Sequence, residues 1–249
     1  MSDVNKALVI LSGGQDSTTC LFWAIRKYDR QNVMALTFNY DQRHKREVKC
    51  AEKIALLANV PHETLKIGDI LKSTSPLVNK EKKVGQYESA ETLPDGLEDT
   101  FVPCRNILFI TLATNRAVVN DCENIVTGVS QEDYGGYPDC RLNFINGMQH
   151  ALVQGLDMNI NIETPLIDLD KHLTVEMAVG LGEECMNALG HSHTCYNGVK
   201  TSKNGTVVGC GKCHACLLRA KGFELAGVID PILKNNEIHQ ENKQKNTDR

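Results

Sequence analysis

The sequence contains no apolar run that approaches the roughly 20 residues needed for a transmembrane helix. Its first residues, Met-Ser-Asp-Val-Asn, lack the charged and apolar regions of a signal peptide. An excess of positive charge is also missing, because the formal net charge is −4, which argues against a diffuse basic surface for nucleic acid. These absences predict a cytoplasmic protein that contacts no membrane and binds no nucleic acid directly.

A disulfide framework does not explain the ten cysteines. Six of them are scattered irregularly among apolar or helical residues, as reduced thiols would be, at Cys20, Cys50, Cys104, Cys122, Cys140 and Cys185. The other four are concentrated in a glycine-rich segment, at Cys195, Cys210, Cys213 and Cys216. These four are therefore considered together.

Four thiolates at these spacings can surround one metal ion, because Cys-x-x-Cys turns bring two sulfur atoms within reach of it. Since all four ligands would come from the protein, the pattern predicts a closed, structural zinc site. An iron–sulfur cluster uses the same ligands, but the spacing matches neither ferredoxin pattern. The nearby His191, His193 and His214 are interpreted as neighbours of the site, with ligation as the alternative.

Short apolar runs alternate along the chain with segments in which apolar residues recur every three or four positions. The predicted strands are Lys6–Leu11, Val33–Phe38, Glu63–Ile67, Asn124–Thr127 and Asn159–Glu163. The predicted helices are Ser17–Lys27, Lys45–Ala58, Asn106–Val119, Leu142–Gln154 and Thr174–Leu189. This alternation predicts an α/β fold with a doubly wound, mostly parallel sheet that binds ligands at the carboxyl ends of its strands.

Two segments do not follow the alternation. Residues 69–103 are a long polar stretch with three prolines, interpreted as an active-site lid, a partner-contacting excursion or a plain surface loop. Residues 235–249 are almost entirely polar and are predicted to be a disordered tail. The predicted organisation is a nucleotide-binding domain at residues 1–189, a small zinc-binding C-terminal region at residues 190–234, and the tail.

The most informative segment joins the first predicted strand to the first predicted helix, and reads Ser12-Gly-Gly-Gln-Asp-Ser17. Its glycines permit a tight turn, and the free N–H groups at the helix start form a site for phosphate. It is not a Walker A loop, which requires Gly-x-x-x-x-Gly-Lys-Ser/Thr. It resembles the loop of N-type ATP pyrophosphatases, which cleave ATP to AMP and pyrophosphate while they adenylate a substrate oxygen.

This loop and the cysteine cluster together resemble the 7-cyano-7-deazaguanine synthase family, which makes the nitrile precursor of the tRNA nucleoside queuosine. The likeness extends from about residue 6 to about residue 227 and includes Phe38-Asn-Tyr-Asp-Gln-Arg-His44, Val102-Pro-Cys-Arg-Asn106 and the segment 132–141. Two departures are apparent. Cys104 stands where the family usually has glycine, and the insertion between Cys195 and Cys210 is longer than the family's.

The resemblance implies an ATP-dependent carbon–nitrogen ligase with an adenine nucleotide alpha hydrolase-like fold. The carboxylate of 7-carboxy-7-deazaguanine would attack ATP, ammonia would displace AMP to give an amide, and a second activation would dehydrate the amide to the nitrile. Because the sequence contains no recognisable glutaminase domain, free ammonia is the expected donor. The family likeness further implies a homodimer with one structural Zn²⁺ per chain and Mg²⁺ bound with ATP.

The resemblance also implies roles for individual residues. ATP is expected to bind at Leu11, Ser12, Gly13, Gly14, Gln15, Asp16, Ser17, Thr18, Thr19, Cys20 and Leu21. The catalytic residues are expected to be Ser12, Asp16, Ser17, Arg105 and Lys171. The base is expected to contact Asp133, Tyr134, Tyr137, Asp139 and Arg141. The alternatives are that Asp16 caps a helix, that Arg105 and Lys171 are surface charges, and that the tyrosine-containing segment is an ordinary turn.

Two other functions fit parts of the sequence. A tRNA-thiolating pyrophosphatase shares the phosphate loop and often carries metal-binding cysteines, but it needs an RNA-binding surface. A zinc-knuckle adaptor with a degenerate nucleotide fold is the non-catalytic alternative. The intact Ser12, Asp16 and Ser17 argue against degeneracy.

Overall fold

A sheet of five parallel strands forms the centre of the protein in a computed structural model that describes residues 5–94, 96–132, 136–198 and 209–233. The strands are β1 (Ala7–Ile10), β2 (Val33–Asn39), β3 (His62–Lys66), β4 (Asn124–Val126) and β5 (Asn161–Glu163). They lie in the order β3-β2-β1-β4-β5, and all neighbours are parallel. The predicted parallel sheet is confirmed.

Helices connect the strands and cover both faces of the sheet. The α-helices are α1 (Gln15–Tyr28), α2 (Arg46–Ala58), α3 (Arg105–Val119), α4 (Leu142–Leu156), α5 (Lys171–Gly180), α6 (Glu183–Leu189) and α7 (His214–Leu225). Short 3-10 helices lie at Arg30–Asn32, Ala90–Thr92 and Pro138–Cys140. None of the helices in the described ranges has the length and apolar character of a membrane span.

The prediction of one helix at Thr174–Leu189 is wrong, because two helices, α5 and α6, occupy this part of the chain. Gly182 separates them with a φ of 100°, which no right-handed helix accommodates. Helix α5 also begins earlier than predicted, since the Asp170 side chain caps it by accepting a hydrogen bond of 2.9 Å from the Leu173 N–H. Helix α7 was not predicted.

Successive side chains of β1 point to opposite faces of the sheet, and this alternation explains the two apolar clusters that cover those faces. Ala7, Val9 and the following Leu11 belong to the core cluster shared with α1, α2 and α6, whereas Leu8 belongs to the cluster on the opposite face with α3. All four side chains are fully buried. A strand that is apolar on both faces suits the centre of a parallel sheet covered by helices on both sides.

The strand order reverses direction between β1 and β4, since the chain proceeds outward from β1 to β3 and then from β4 to β5. Loops that leave neighbouring strands in opposite directions open a crevice at the carboxyl ends of those strands. Ser12 follows β1 and Thr127 follows β4, so both flank this crevice. The topology therefore positions the predicted phosphate loop at the expected ligand site.

Cys104 precedes α3 with a left-handed backbone, at φ 63° and ψ 6°. This conformation costs an ordinary L-residue about 1–2 kcal/mol and costs glycine almost nothing. The chain therefore retains the backbone that a glycine would adopt, and the exposed cysteine side chain tolerates it.

Replacing Cys104 with glycine is expected to stabilise the protein. Relief of the left-handed strain exceeds the entropic cost of glycine by up to about 1 kcal/mol, which corresponds to a rise in Tm of roughly 2–4 °C for a chain of this size. Differential scanning calorimetry measures the change. Cys104→Ala is the matched control, because it removes the thiol but retains the Cβ; an equal rise in that variant would show that the thiol and not the backbone was responsible.

Candidate active site

A cavity of about 290 Å³ lies at the carboxyl ends of β1, β2 and β4. Ser12, Tyr40 and Thr127, which follow these three strands, contribute to its lining. The first residues of two helices, Arg105 of α3 and His214 of α7, line it as well. Because strand ends and helix N-termini meet here, the cavity is suited to an anionic ligand.

Two serine hydroxyls brace the phosphate loop. The Ser12 backbone N–H donates to Ser17 Oγ at 3.1 Å, and the two Oγ atoms lie 2.9 Å apart. The Gly14 N–H donates to Ser12 Oγ at 3.3 Å. Gly14 is the N-cap of α1 and offers no side chain, so the N–H groups of the first turn stay available to a ligand.

Gly13 brings the loop into close contact with α2. Its φ is 85°, and a Cβ at this position would collide with the Glu47 carbonyl oxygen and lie 2.8 Å from the Ala51 amide nitrogen. The Gly13 carbonyl accepts a hydrogen bond of 2.8 Å from the His193 N–H. Only glycine fits both the conformation and the available space.

The predicted ATP loop divides into two parts. Its first part lines the cavity with Leu11, Ser12, Gly14, Gln15, Asp16 and Ser17. The hydroxyls of Thr18 and Thr19 donate to the carbonyls of Gly14 and Gln15, at 2.7 and 3.1 Å. Cys20 and Leu21 are fully buried in the core. These last four residues support α1 and do not line the cavity.

Asp16 and Lys171 form an ion pair at the cavity, with Lys171 Nζ 2.8 Å from Asp16 Oδ2. Asp16 Oδ1 is buried and has no hydrogen-bond partner. Lys171 begins α5 where α7 packs closely, because a Cβ on Gly222 would lie 2.8 Å from the Lys171 carbonyl oxygen. Asp16 therefore does not cap α1, and Lys171 is not a surface charge.

Arg105 lines the cavity among aromatic side chains and a buried carboxylate. The hydroxyls of Tyr40, Tyr137 and Tyr196 and the carboxyl group of Asp139 interact with its guanidinium group electrostatically. An arginine in such surroundings keeps its charge. It therefore provides a fixed positive charge in the lining of the same cavity as the phosphate loop.

The predicted base-binding segment is only partly at the cavity. Tyr137 lines it, but Asp139 and Arg141 do not. The buried Asp139 carboxylate accepts from the Asn106 N–H at 3.4 Å and so holds the start of α3. Arg141 is exposed and donates to the Gly136 carbonyl at 3.4 Å. Asp133 and Tyr134 lie outside the described residues.

Other lining residues were not predicted from the sequence. Phe38 and Phe109 stack with their ring centroids 4.3 Å apart and give the cavity an aromatic wall. Glu47 of α2 also lines the cavity, and burial raises its pKa to about 7 even though Arg105 and Gln42 act against the rise. A stacked pair from a strand and a helix leaves no local sequence signal. Glu47 lies three residues after the segment Phe38–His44, and this proximity is a signal for a place at the site.

Buried polar atoms without partners are concentrated at the cavity. Among the described residues, seven buried side-chain nitrogen and oxygen atoms lack a hydrogen-bond partner, and all except Glu163 Oε2 belong to residues that line the cavity. They are Gln15 Nε2, Gln15 Oε1, Asp16 Oδ1, His44 Nδ1, His193 Nε2 and His214 Nε2. Because buried polar groups are normally hydrogen-bonded, this distribution indicates a polar ligand.

The four clustered cysteines, Cys195, Cys210, Cys213 and Cys216, have sulfur atoms within 4.8 Å of one another and can hold a metal ion. The Cys210 N–H points at Cys195 Sγ and the Cys213 N–H at Cys210 Sγ, each at 3.2 Å. Such N–H groups stabilise thiolate charge. We refer to residues 195–198 and 209–216 as the knuckle.

The knuckle is attached to the cavity. Tyr196, His214 and Ala215 contribute to the lining, and the Cys195 carbonyl lies 3.0 Å from His44 Nε2. The bond between His193 and Gly13 ties the adjoining chain to the phosphate loop. The chain around the four cysteines therefore also forms part of the cavity wall.

Comparisons with known proteins identify the family of this chain. A family model described as "Queuosine biosynthesis protein QueC" matches residues 6–227. The chain is 50% identical to a 7-cyano-7-deazaguanine synthase of Gloeobacter violaceus, with 93% of this chain and 97% of that protein covered. It is 45% identical to the Chromobacterium violaceum protein of that name, over 92% and 93%. By these matches, the chain belongs to the QueC family of queuosine biosynthesis proteins.

Proposed function

We propose that the protein is an ATP-dependent ligase that converts 7-carboxy-7-deazaguanine and ammonia into 7-cyano-7-deazaguanine. One observation carries the proposal: the cavity brings together the serine-braced phosphate loop, the Asp16–Lys171 pair and Arg105 in a chain that is 50% identical to a synthase of this name. Of the three hypotheses from the sequence, the family match favours the ligase over the tRNA thiolase and the adaptor.

The phosphates of ATP would bind at Ser12, Gly14 and Ser17. The free N–H groups of the first turn of α1 and the Ser12 hydroxyl suit the pyrophosphate, which leaves when the α-phosphate is attacked. Mg²⁺, bound with ATP, would neutralise phosphate charge, and the free Oδ1 of Asp16 is available to it or to one of its waters. Lys171 would then hold Asp16 in place through Oδ2.

The base would occupy the part of the cavity opposite the phosphate loop. Phe38 and Phe109 offer a flat apolar wall for the deazapurine ring, and Tyr137 offers an aromatic face with a hydroxyl. Arg105 suits the carboxylate that attacks ATP, since its guanidinium can pair with both oxygens. The same fork can stabilise the acyl phosphate oxygens during adenylation.

The chemistry balances without a nucleophile from the protein. The substrate carboxylate displaces pyrophosphate to form an acyl adenylate, ammonia then displaces AMP, and one proton leaves the nitrogen to give the amide. The amide oxygen then attacks the α-phosphate of a second ATP and displaces pyrophosphate. This oxygen departs as part of AMP while the nitrogen loses its two protons, which gives the nitrile. The cavity has to provide positioning and charge stabilisation, and the charges of Arg105, Lys171 and Asp16 at its lining support this role.

The four thiolates of the knuckle would hold Zn²⁺. Because four thiolates would complete the coordination of the ion, no position would be left for water or substrate, and the metal would act by fixing the chain around Tyr196 and His214. None of the ten cysteines forms a disulfide, which suits the reducing cytoplasm as the place of the reaction. We further propose a homodimer, for which the family likeness is the support and light scattering is the measurement.

The test is a single reaction of the purified protein with Mg²⁺, ATP, ammonium and 7-carboxy-7-deazaguanine, followed by mass spectrometry. The expected products are AMP, pyrophosphate and a base with the mass of the nitrile, at two AMP per nitrile. Omission of ammonium is the control and should stop nitrile formation. AMP without the nitrile would favour another adenylation reaction, and no turnover with any substrate would favour the adaptor.

A further inference from the structure

Two carboxyl groups line the cavity within the described ranges, and their surroundings differ. Asp16 belongs to the phosphate loop and pairs with Lys171. Glu47, the second residue of α2, forms no ion pair with any described residue, although the charge of Arg105 acts on it. The proposed sites for ATP and for the base leave this second carboxyl group without a role.

The carboxyl group of Glu47 lies among other residues of the cavity lining. Gln42 donates a hydrogen bond to it, and Arg105 and Tyr40 interact with it electrostatically. All three of these neighbours line the cavity. The Gln42 amide is itself oriented, because its Oε1 accepts a hydrogen bond of 3.1 Å from the Tyr40 N–H. The carboxyl group is therefore held in the part of the wall that contains Arg105.

The start of α2 is fixed beside the phosphate loop. Gly13 packs so closely on the Glu47 carbonyl and the Ala51 amide that no Cβ fits between them. The adenylate of the proposed reaction would form at this loop. Glu47 thus lies where a group that acts on the incoming nitrogen has to be.

Ammonia is present near neutral pH mostly as the ammonium ion, which must lose a proton before it can attack. A general base is most effective when its pKa lies near the working pH. Burial raises the pKa of Glu47 to about 7, against the opposing effects of Arg105 and Gln42. Burial also raises the pKa of Tyr40 and raises that of Cys50 to about 11, so these two neighbours stay protonated in this range.

Resting on the proposed function, we propose that Glu47 is the catalytic base that binds the ammonium ion in the cavity and accepts one of its protons. An N–H bond breaks and leaves its electron pair on nitrogen, while an O–H bond forms on the carboxylate. The ammonia released attacks the acyl carbon of the adenylate, and AMP leaves with the electron pair of the bond that breaks. The nitrogen then loses its second proton to water, and Glu47 releases its own proton to water.

Glu47→Gln tests the proposal, because the glutamine side chain has nearly the same shape but does not act as a base. With ammonium at pH 7, we expect the rate of amide and nitrile formation to fall about 100-fold or more. Adenylation removes no proton from nitrogen. Exchange of labelled pyrophosphate into ATP, measured with 7-carboxy-7-deazaguanine and without ammonium, should therefore stay within about 3-fold of the parent protein.

Hydroxylamine separates the role of a base from a structural role. It is mostly uncharged at pH 7 and needs no prior loss of a proton, so the variant and the parent protein should form the hydroxamate at rates within about 3-fold of each other. Glu52→Gln is the matched control, because Glu52 is an exposed acid of the same helix outside the cavity lining, and it should leave all rates unchanged. Glu47→Asp retains a carboxyl group and should recover part of the ammonium-dependent rate.

The pH dependence gives a second readout. In the parent protein, kcat/KM for total ammonium should rise with pH and level off above about pH 7, where the Glu47 carboxyl group is ionised. In Glu47→Gln it should follow the concentration of free ammonia and keep rising. The two proteins should therefore become more alike at alkaline pH.

An unchanged ammonium-dependent rate in Glu47→Gln would overturn the proposal, as would an equal loss of hydroxamate formation or of pyrophosphate exchange. If this variant does not fold, a parent profile that keeps rising through pH 7 contradicts the proposal instead. Failure of the proposed function is separate: a parent protein that forms the amide but no nitrile refutes that reaction, while the amide rates still decide the role of Glu47. If the parent protein uses no ammonium, both proposals are wrong.

Discussion

Gly13→Ala is expected to remove nearly all ATP-dependent activity and to lower the Tm by roughly 10 °C. The left-handed backbone costs alanine about 1–2 kcal/mol, and overpacking against α2 costs about 1–3 kcal/mol more. The new Cβ must push away the Glu47 carbonyl and the Ala51 amide, which belong to a helix backbone and cannot rotate aside. Displacement of the loop would also break the hydrogen bond from His193. Calorimetry and AMP release measure the two effects.

Gly14→Ala is the matched control for stability. A Cβ at Gly14 would have its nearest contact at 3.5 Å, with Ser12 Oγ, and the residue has an extended backbone at φ −85°. We therefore expect a Tm within about 2 °C of the parent protein, since surface-like substitutions of this kind change stability by about 0.5 kcal/mol. Equal melting of the two variants would refute the argument from crowding at Gly13.

Cys213→Ser is expected to abolish metal binding and to lower the Tm by about 10 °C or more, because metal binding to such a site contributes directly to folding. Cys213 is fully buried, and its N–H and sulfur both belong to the cluster of four thiols. Loss of the metal should also remove activity, since Tyr196 and His214 would leave their positions in the cavity wall. Metal content by mass spectrometry and the Tm are measured together.

Cys185→Ser separates the loss of metal from the burial of a hydroxyl. Cys185 is as buried as Cys213 but lies in the core cluster around β1 and is not one of the four clustered thiols. We expect this variant to melt at a lower temperature with its full metal content. A Cys213→Ser protein with full metal content and unchanged melting would contradict the role of the knuckle.

The fold followed from local patterns because each strand and most helices carry their own signal. The two-sided apolar character of β1 and the glycine turn after it predicted a central parallel strand that leads into a helix at a phosphate site. The prediction failed where two local signals conflicted. Apolar residues recur at helical spacing throughout Thr174–Leu189, but Gly182 interrupts the helix within this segment. Helix α7 was not predicted, because Cys213 and Cys216 at its start were interpreted only as metal ligands.

The site was predictable only where residues close together in the sequence form it. The motif around Asp16 predicts that this residue lies beside a phosphate. Its pairing with Lys171, however, depends on how α7 packs against α5. Asp139 and Arg141 were expected at the base, although sequence spacing does not reveal which side of a turn faces a cavity. The contact between Glu98, in the long segment 69–103, and His214, at the start of α7, has no counterpart in the sequence pattern, and tertiary packing alone brings the two residues together.

The hydrogen bond between Gly13 and His193 joins the beginning of the described chain to a segment near its end, and this fixes when the site becomes complete. A ribosome adds about 5–20 residues per second, so roughly 10–40 s separate the synthesis of the first loop from that of α7. During this interval the nascent sheet lacks the wall that carries Tyr196 and His214. We therefore expect catalytic competence to appear late in synthesis, once α7 has docked and completed this wall of the cavity.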